Sequence, residues 1–321
     1  MRKRDKTAKY KNRRSGLKKY VNSDRLKQLG YKLFRTLLIM GVSYVILFPL
    51  LSQLSSSFMS RTDVWDRTVS MIPRNPTLNN YQLAWEYMDY PRAFLNSLLL
   101  ALAVSALQLL SCTIVGYGFA RFQFKGRRFW FGLVIFSLVV PPQLIMTPMY
   151  LNFRFFTVGG LLPGEGLNLL DTPWTFILPA LTAAGFKNGL FIYIMRQFFR
   201  GLPRSLEEAA YVDGAGPFRT FFKIMLPGAV PGLIVVFLFS FVWQWNEYVL
   251  TTTFMGAETL LPVMLEDLVP NVLGSQFLHA PEEASLLNNT GSMLLLAPLV
   301  ILYLFLQRYF IESVERTGIA G

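Results

Sequence analysis

The chain has one cysteine, Cys112, and one histidine, His279, in 321 residues. A single thiol builds no disulfide framework, and one residue of each kind leaves no Cys/His set for a zinc site. The dipeptide Gly-Lys never occurs, so there is no phosphate-binding P-loop. If ATP drives this protein, another chain hydrolyses it. Charge is scarce too: Asp, Glu, Lys and Arg make up 16% of the chain, against about 25% in a soluble domain. With 53% hydrophobic residues, the chain has too little charge for a watered surface and too much apolar bulk for one soluble core. A soluble enzyme and a disordered protein are both poor fits. The net charge of +12 is open at this point: basic proteins bind nucleic acid, but basic residues also gather on the cytoplasmic side of membrane proteins.

What is present in quantity is long apolar sequence. A membrane helix needs about 20 such residues. Six stretches qualify, at 36–54, 94–118, 129–151, 174–195, 228–250 and 291–307. A basic region precedes the first, as in a signal peptide. Its length, the Phe48-Pro49 interruption and the five later stretches favour a retained anchor.

The position of the charge decides its meaning. The segment through Arg35 holds 14 Lys and Arg, and the later connections hold 4 (55–93), 4 (119–128), 1 (152–173), 5 (196–227) and none (251–290); the C-terminal tail holds 2. Alternate segments therefore total 25 on one side and 5 on the other, with Lys187 left inside the fourth stretch. Seven acids against the 25 give +18, and eleven against the 5 give −6. This asymmetry predicts that both termini and connections 119–128 and 196–227 face the cytoplasm. The basic cluster from Arg2 to Lys19 then reads as a partly disordered tail held near anionic headgroups rather than as a nucleic-acid site.

Connection 196–227 carries the most information. Ser205 followed three residues later by Glu208 is a capping-box pattern, Ala209 and Ala210 propagate a helix, and Gly214 can take positive φ and end it. The expectation is a short helix over 206–213, about 12 Å long. A second begins near Pro217 and stops before Pro227. Two short helices joined at a glycine make an elbow, too small for an enzyme and suited to docking in a partner's groove.

The run Glu208-Ala209-Ala210, three residues, Gly214, nine residues, Ile224, one residue, Leu226-Pro227 resembles the EAA loop of ABC importer permeases. Asp213-Gly214-Ala215, Met195-Arg196-Gln197-Phe198-Phe199 and Gln307-Arg308-Tyr309-Phe310 resemble its carbohydrate subgroup, and within that the MalG-type subunit. The resemblance covers about residues 33–321 and implies an all-α integral membrane protein. Its fold would be MetI-like, of the type I importer class, with six transmembrane helices, both termini cytoplasmic and a cytoplasmic coupling helix. The implied organisation is a basic tail at 1–32, a first span at 33–57, an outer loop at 58–92, a permease core at 93–310 with the EAA loop at 200–227, and a tail at 311–321. The resemblance also implies that Ser205, Glu208, Ala209, Ala210, Asp213, Gly214, Ile224, Leu226 and Pro227 couple the spans to an ATPase. Glu208 would meet basic groups there, Gly214 would permit the bend, and Leu226-Pro227 would hold the elbow to the next span. The C-terminal tail, too short and polar to pack alone, would touch the ATPase as well. The implied partners are a second, MalF-like permease subunit, two ATPase subunits that bind ATP and Mg, an extracellular solute-binding protein and membrane lipids, with no nucleic acid. No catalytic residue, cofactor or metal is expected in this chain.

Polar residues inside spans are costly and often functional. The fifth span ends in Trp243-Gln244-Trp245-Asn246-Glu247-Tyr248. Aromatic faces stack on sugars and amides or carboxylates pair with hydroxyls, so Trp243, Gln244, Asn246, Glu247 and Tyr248 are candidates for the translocation pathway. An interfacial aromatic belt explains the rings equally well, but not the polar residues. Lys187 lies mid-span between Gly185 and Gly189, which allow close helix contact, and Glu247 is the one acid inside any expected span. A Lys187–Glu247 pair follows as a hypothesis, with a wet cavity around Lys187 as the alternative. Pro141-Pro142-Gln143 is expected to break the third span; it can expose backbone carbonyls there, but a simple packing kink is the favoured reading.

The outer connections 55–93 and 251–290 are sizeable, and the second carries five acids and no base; both suit a docking binding protein. Connection 152–173, with Gly159-Gly160 and Pro163 to Gly166, is long without an evident reason. A membrane-embedded enzyme fits poorly, since one His, one Cys and a Lys–Glu candidate are thin catalytic material. An ion-driven transporter fits poorly too, with no internal repeat and two charges within spans.

Overall fold

The computed structural model describes residues 4–157, 166–256, 259–274 and 280–318, with side chains from Lys27 to Phe305 in those ranges and at Gln307. Gly159, Gly160 and the run 163–165 of connection 152–173 lie outside the described residues. The chain divides into two units, Met1–Pro76 and Thr77–Gly321.

The first unit is dominated by α1 (Arg4–Ser57), one helix running through the basic tail and the first apolar stretch. The tail expected to be partly disordered is helical here. Its Lys, Arg, Leu and Gln residues are good helix formers, and no proline intervenes before Pro49. After α1 comes a short turn, α2 (Arg61–Trp65), capped by the Ser60 hydroxyl accepting from the Asp63 amide. Asp63 is buried, and its carboxylate accepts from the Asn75 backbone N–H at 2.8 Å and the Asn75 side chain at 3.0 Å. These bonds hold the Asp63 carboxyl below the usual range and pin the connection 63–75.

The second unit is built around α4 (Tyr90–Arg121), which follows α3 (Asn79–Tyr87). One edge of α4 carries small residues at helical spacing: Ala93, Ser97, Ala101, Ser105, Cys112, Gly116 and Ala120 are all buried. Small side chains let helix backbones approach, which is how membrane helices gain packing energy. A Cβ on Gly116 would lie 2.7 Å from the Met195 Cβ and 3.1 Å from the Arg196 amide nitrogen. Residues of α4 enter all three apolar clusters of the unit: one around Phe153, Phe176 and Phe254, one around Phe241, Trp245 and Leu268, one around Phe191, Met195 and Phe199.

The third apolar stretch is broken. α5 (Arg127–Val139) and α6 (Pro142–Arg154) meet at 103°. Val140 precedes Pro141 and Pro141 precedes Pro142, and a residue before proline is pushed out of the helical region; both are extended, with ψ of 118° and 132°. The fourth stretch is also two helices, α7 (Trp174–Leu181) and α8 (Asn188–Gly201). Next come the elbow helices α9 (Ser205–Val212), α10 (Pro217–Thr220) and α11 (Leu226–Gly228). They lead into α12 (Val230–Trp245), then α13 (Val249–Met255), α14 (Leu261–Leu273) and α15 (Pro281–Gly318).

Among the described residues no β-strand forms; Phe156 and Leu167 make an isolated bridge. Three helices are long and apolar enough to cross a membrane: 27–57 of α1, α4, and 281–305 of α15. Two bent pairs, α5 with α6 and 217–228 with α12, bring the count to five. The expected fourth span falls short because its helix stops at Leu181 and restarts at Asn188. Large apolar side chains remain exposed along these helices, among them Phe129, Phe136, Val139 and Leu144. That much exposed hydrocarbon needs a lipid or protein cover.

Candidate functional site

The gap between α7 and α8 creates the first candidate site. Ala183 sits at φ +56°, a left-handed conformation unusual for alanine, and the helix ends there. Carbonyls of the last turn accept side-chain bonds in addition to the backbone N–H groups of residues 182–184. The Ser111 hydroxyl donates to the Ala180 carbonyl at 2.6 Å, the Thr182 hydroxyl to the Leu178 carbonyl at 2.9 Å, and the Asn188 amide to the Pro179 carbonyl at 3.2 Å. These side-chain bonds brace the chain where the helix breaks. Asn188 is fully buried and its carbonyl oxygen accepts from the Gln108 amide at 2.7 Å, while Gln108 accepts from the Ser240 hydroxyl. This relay ties α4, α8 and α12 together. It was not read from the sequence, although a Gln in the middle of the second apolar stretch was a visible signal.

Lys187 occupies the last residue of the gap, not the interior of a helix. Its ammonium donates to the Glu247 carboxylate at 2.7 Å and lies 5.4 Å from the Trp243 ring centre. The hypothesised Lys187–Glu247 pair is therefore present. Both groups line a cavity of about 40 Å³ with Gln108 and Gln244. That is room for water but not for a sugar ring. The Gln244 amide nitrogen is buried and has no acceptor among the described residues. A buried donor without a partner is costly and marks a place where another acceptor fits.

The other candidates at this end of α12 divide. Trp243 is half-buried and stacks with Phe191 and Phe239, at 5.7 and 5.5 Å between ring centres. Asn246 is exposed and turns its amide back to the Val242 carbonyl at 2.9 Å. Tyr248 is exposed and faces Glu266 of α14. Trp245 is fully buried, and its indole N–H donates to the Leu295 carbonyl at 3.0 Å. The cavity thus gathers Lys187, Gln244 and Glu247, and not Trp243, Asn246 or Tyr248.

The elbow is the second candidate site. The capping box does not form. α9 begins at Ser205 itself, and the Glu208 amide bonds to the Arg204 carbonyl at 3.1 Å rather than to the Ser205 hydroxyl. The helix starts one residue early, so its backbone takes the donor that the side chain would have capped. Gly214 has φ +77° with open space around it, and the Ala215 amide closes the turn on the Ala210 carbonyl at 2.8 Å. The second helix does not stop before Pro227. α10 widens into a π-helical turn over Phe221–Met225, where the Leu226 amide reaches back to the Phe221 carbonyl, and helix resumes through Gly228. The proline N–H it lacks falls in the first turn of the resumed helix, where it is not needed.

Exposure sorts the elbow residues. Ser205, Glu208, Ala209, Asp213, Gly214 and Pro227 are exposed; Ala210 is buried; Ile224 and Leu226 are half-buried, Ile224 against the Phe199 cluster. Small size at Ala210 thus serves internal packing, and Ala209 alone of the two faces outward. Val212 and Phe218 are 88% and 81% exposed, an apolar pair on the outer face.

The residue that anchors the elbow is Glu207, passed over in the sequence. Its carboxylate pairs with the Arg121 guanidinium at 3.2 Å and accepts from the Tyr117 hydroxyl at 3.0 Å. Arg121 also donates to the Phe199 and Leu202 carbonyls at 2.6 and 2.7 Å. Both charged side chains are about nine-tenths buried, at 7% and 12% exposure. The available signal was register: 207 and 210 lie one turn apart, so burying Ala210 turns Glu207 inward and Glu208 outward.

Comparison with known proteins sets these features in context. The profile described as "Binding-protein-dependent transport system inner membrane component" matches residues 112–316, more than half of the chain. The arabinooligosaccharides transport system permease protein AraQ of Halalkalibacterium halodurans is 30% identical over 287 residues, 87% of this chain and 93% of that one. The alpha-glucoside transport system permease protein AglG of Rhizobium meliloti is 31% identical over 249 residues, 78% of this chain and 62% of that one. The galactooligosaccharides transport system permease protein GanQ of Bacillus subtilis is 26% identical over 294 residues, 90% and 95% of the two chains. A chain from the crystal structure of a bacterial ABC transporter that imports the acidic polysaccharide alginate superposes with a TM-score of 0.71 at 22% identity, over 90% of this chain and 98% of that one. That likeness concerns the fold.

Proposed function

Because this chain belongs to the family of inner membrane components of binding-protein-dependent transport systems, we propose that it forms one half of the pathway of an ATP-driven carbohydrate importer. The chain is a transport subunit and not an enzyme. The solute in this reading is an oligosaccharide, the class named for two of these relatives, or a related polyol. In this reading six crossings, with α7 and α8 together forming the interrupted fourth, place both termini and the elbow in the cytoplasm of a bacterial inner membrane. A second permease completes the pathway, two ATPase subunits bind ATP and Mg, and an extracellular binding protein delivers the solute.

The observation that carries the reading is the elbow. It presents Glu208, Gly214, Val212 and Phe218 outward while Glu207 clamps it to α4 through a buried ion pair. A surface element rigidly tied to a core helix transmits a push, and a loosely tethered one does not. Closure of the ATPase pair would move the elbow, α4 and the polar relay around Lys187 and Glu247 as one body. The cavity of about 40 Å³ there is a closed stage of the pathway in this scheme.

The test is uptake of a labelled oligosaccharide into vesicles holding the assembled transporter. Uptake should require ATP, the ATPase subunits and the binding protein together. Uptake driven by an ion gradient, with any of the three omitted, would overturn the reading.

A further inference from the structure

The start of α5, the segment before it and the end of α8 enclose a groove of about 850 Å³. Arg121, Arg127, Arg128, Arg196, Arg200 and Arg204 line it, and no acidic side chain does. Among the described residues, the carboxylate paired with any of these is Glu207, on Arg121. Six cations and one anion leave about five charges uncompensated at one place.

The arginines are held there against their own repulsion. Arg127 donates to the Phe122 and Ala120 carbonyls at 3.2 and 3.4 Å. Arg196 donates to the Phe119 carbonyl at 3.3 Å, and its guanidinium lies 3.9 Å from the Phe131 ring centre. Arg200 and Arg127 both repel it. Carbonyls and rings orient guanidinium groups without neutralising them. A cluster that pre-aligns planar forks without neutralising them matches oxyanions, phosphate above all.

The surroundings select the source of the phosphate. α5 leaves the groove with Phe129, Leu133 and Phe136 exposed along one face and Trp130 beside them, each between 43% and 65% exposed. Spacing of i, i+4 and i+7 makes a continuous apolar track, and tryptophan favours the headgroup level. An anion here has hydrocarbon directly below it. Basic pockets between membrane helices on the cytoplasmic side are where anionic headgroups bind.

We propose that this groove binds the headgroup of an anionic phospholipid carrying two phosphates, with its acyl chains along α5. A single phosphodiester would leave most of the charge unanswered, whereas two bridged phosphates span several guanidinium groups. The proposal rests on α5 lying in the membrane and is independent of the solute carried.

The experiment uses the full-length chain, stripped of lipid in a neutral detergent, with binding read by native mass spectrometry. The ligands are diphosphatidylglycerol, dioleoylphosphatidylcholine and inorganic pyrophosphate. Diphosphatidylglycerol should bind at least tenfold more tightly than either of the others. The triple variant Arg128→Gln, Arg200→Gln, Arg204→Gln should lose at least tenfold of that affinity, and Arg219→Gln with Lys223→Gln, on the elbow, less than twofold. In the chain with all its arginines intact, diphosphatidylglycerol with brominated acyl chains should quench tryptophan emission, and Trp130→Phe should remove part of that quenching. Equal affinity for pyrophosphate would mark a site for soluble anions and overturn the proposal. So would equal loss in the two charge variants, or quenching unaffected by Trp130→Phe.

Discussion

The clamp between Glu207 and Arg121 allows the sharpest test, because stability and coupling should fail together. Glu207→Ala leaves a guanidinium that is 7% exposed without its counter-charge and removes the acceptor of the Tyr117 hydroxyl. Removing one partner of a buried ion pair costs about 3–5 kcal/mol. Here Arg121 keeps the Phe199 and Leu202 carbonyls and borders an open groove, so the low end applies, about 3 kcal/mol. At about 1.4 kcal/mol per decade, the docked elbow loses a factor on the order of 100 relative to undocked forms. Glu207→Gln keeps an acceptor for Tyr117 and should lose about half as much. The assays are thermal unfolding of the purified chain and the ratio of solute moved to ATP hydrolysed in reconstituted vesicles. Glu207→Ala should lower both, and a double-mutant cycle with Arg121→Met should give a coupling energy above about 1 kcal/mol. A Glu207→Ala protein with unchanged melting temperature and unchanged transport ratio would refute the clamp.

Further outcomes follow from single contacts. Gly116→Ala should destabilise the chain by about 1–3 kcal/mol in thermal unfolding, because the added carbon meets helix backbone of α8 rather than a flexible tip. Gly214→Val should suppress uptake while ATP hydrolysis persists, and Gly214→Asn should be tolerated, since the position needs φ +77° but has open space around it. Ala183→Gly should stabilise by up to about 1 kcal/mol, the strain of a left-handed alanine less the added freedom of the unfolded chain. Asp63 has its carboxyl pKa lowered by folding, first through the Asn75 backbone N–H. Its contribution is present above the unfolded carboxylate pKa and is lost as pH falls through the lower folded value. Hydrogen exchange in residues 61–76 should therefore quicken below about pH 4 in the wild type, and Asp63→Asn should remove that dependence.

The Lys187–Glu247 pair was legible because only one acid and one base fall inside the apolar stretches. At membrane depth an unpaired charge is costly enough that scarcity names the partner. Glu207 was not legible in the same way. It stands beside Glu208 in a segment rich in charge, and its partner Arg121 is 86 positions earlier on another helix. Pairing there depends on which face of α9 turns inward. The capping box failed for a related reason: Ser205 and Glu208 stand at the correct spacing, but α9 begins one residue early and the Arg204 carbonyl takes the amide.

The sequence alone therefore determined that this is a membrane permease with its charge unevenly divided among the connections and a glycine-hinged elbow. Hydropathy and charge accumulate along the chain and need no partner to be read. Only the tertiary structure decided which residues are joined across it. The break between α7 and α8 is braced by Ser111 and Asn188, and the elbow is held by Arg121. The six arginines become one groove only when α8 packs beside α5, where Phe131 supports Arg196. Each of these depends on distances between helices, which one-dimensional spacing does not contain.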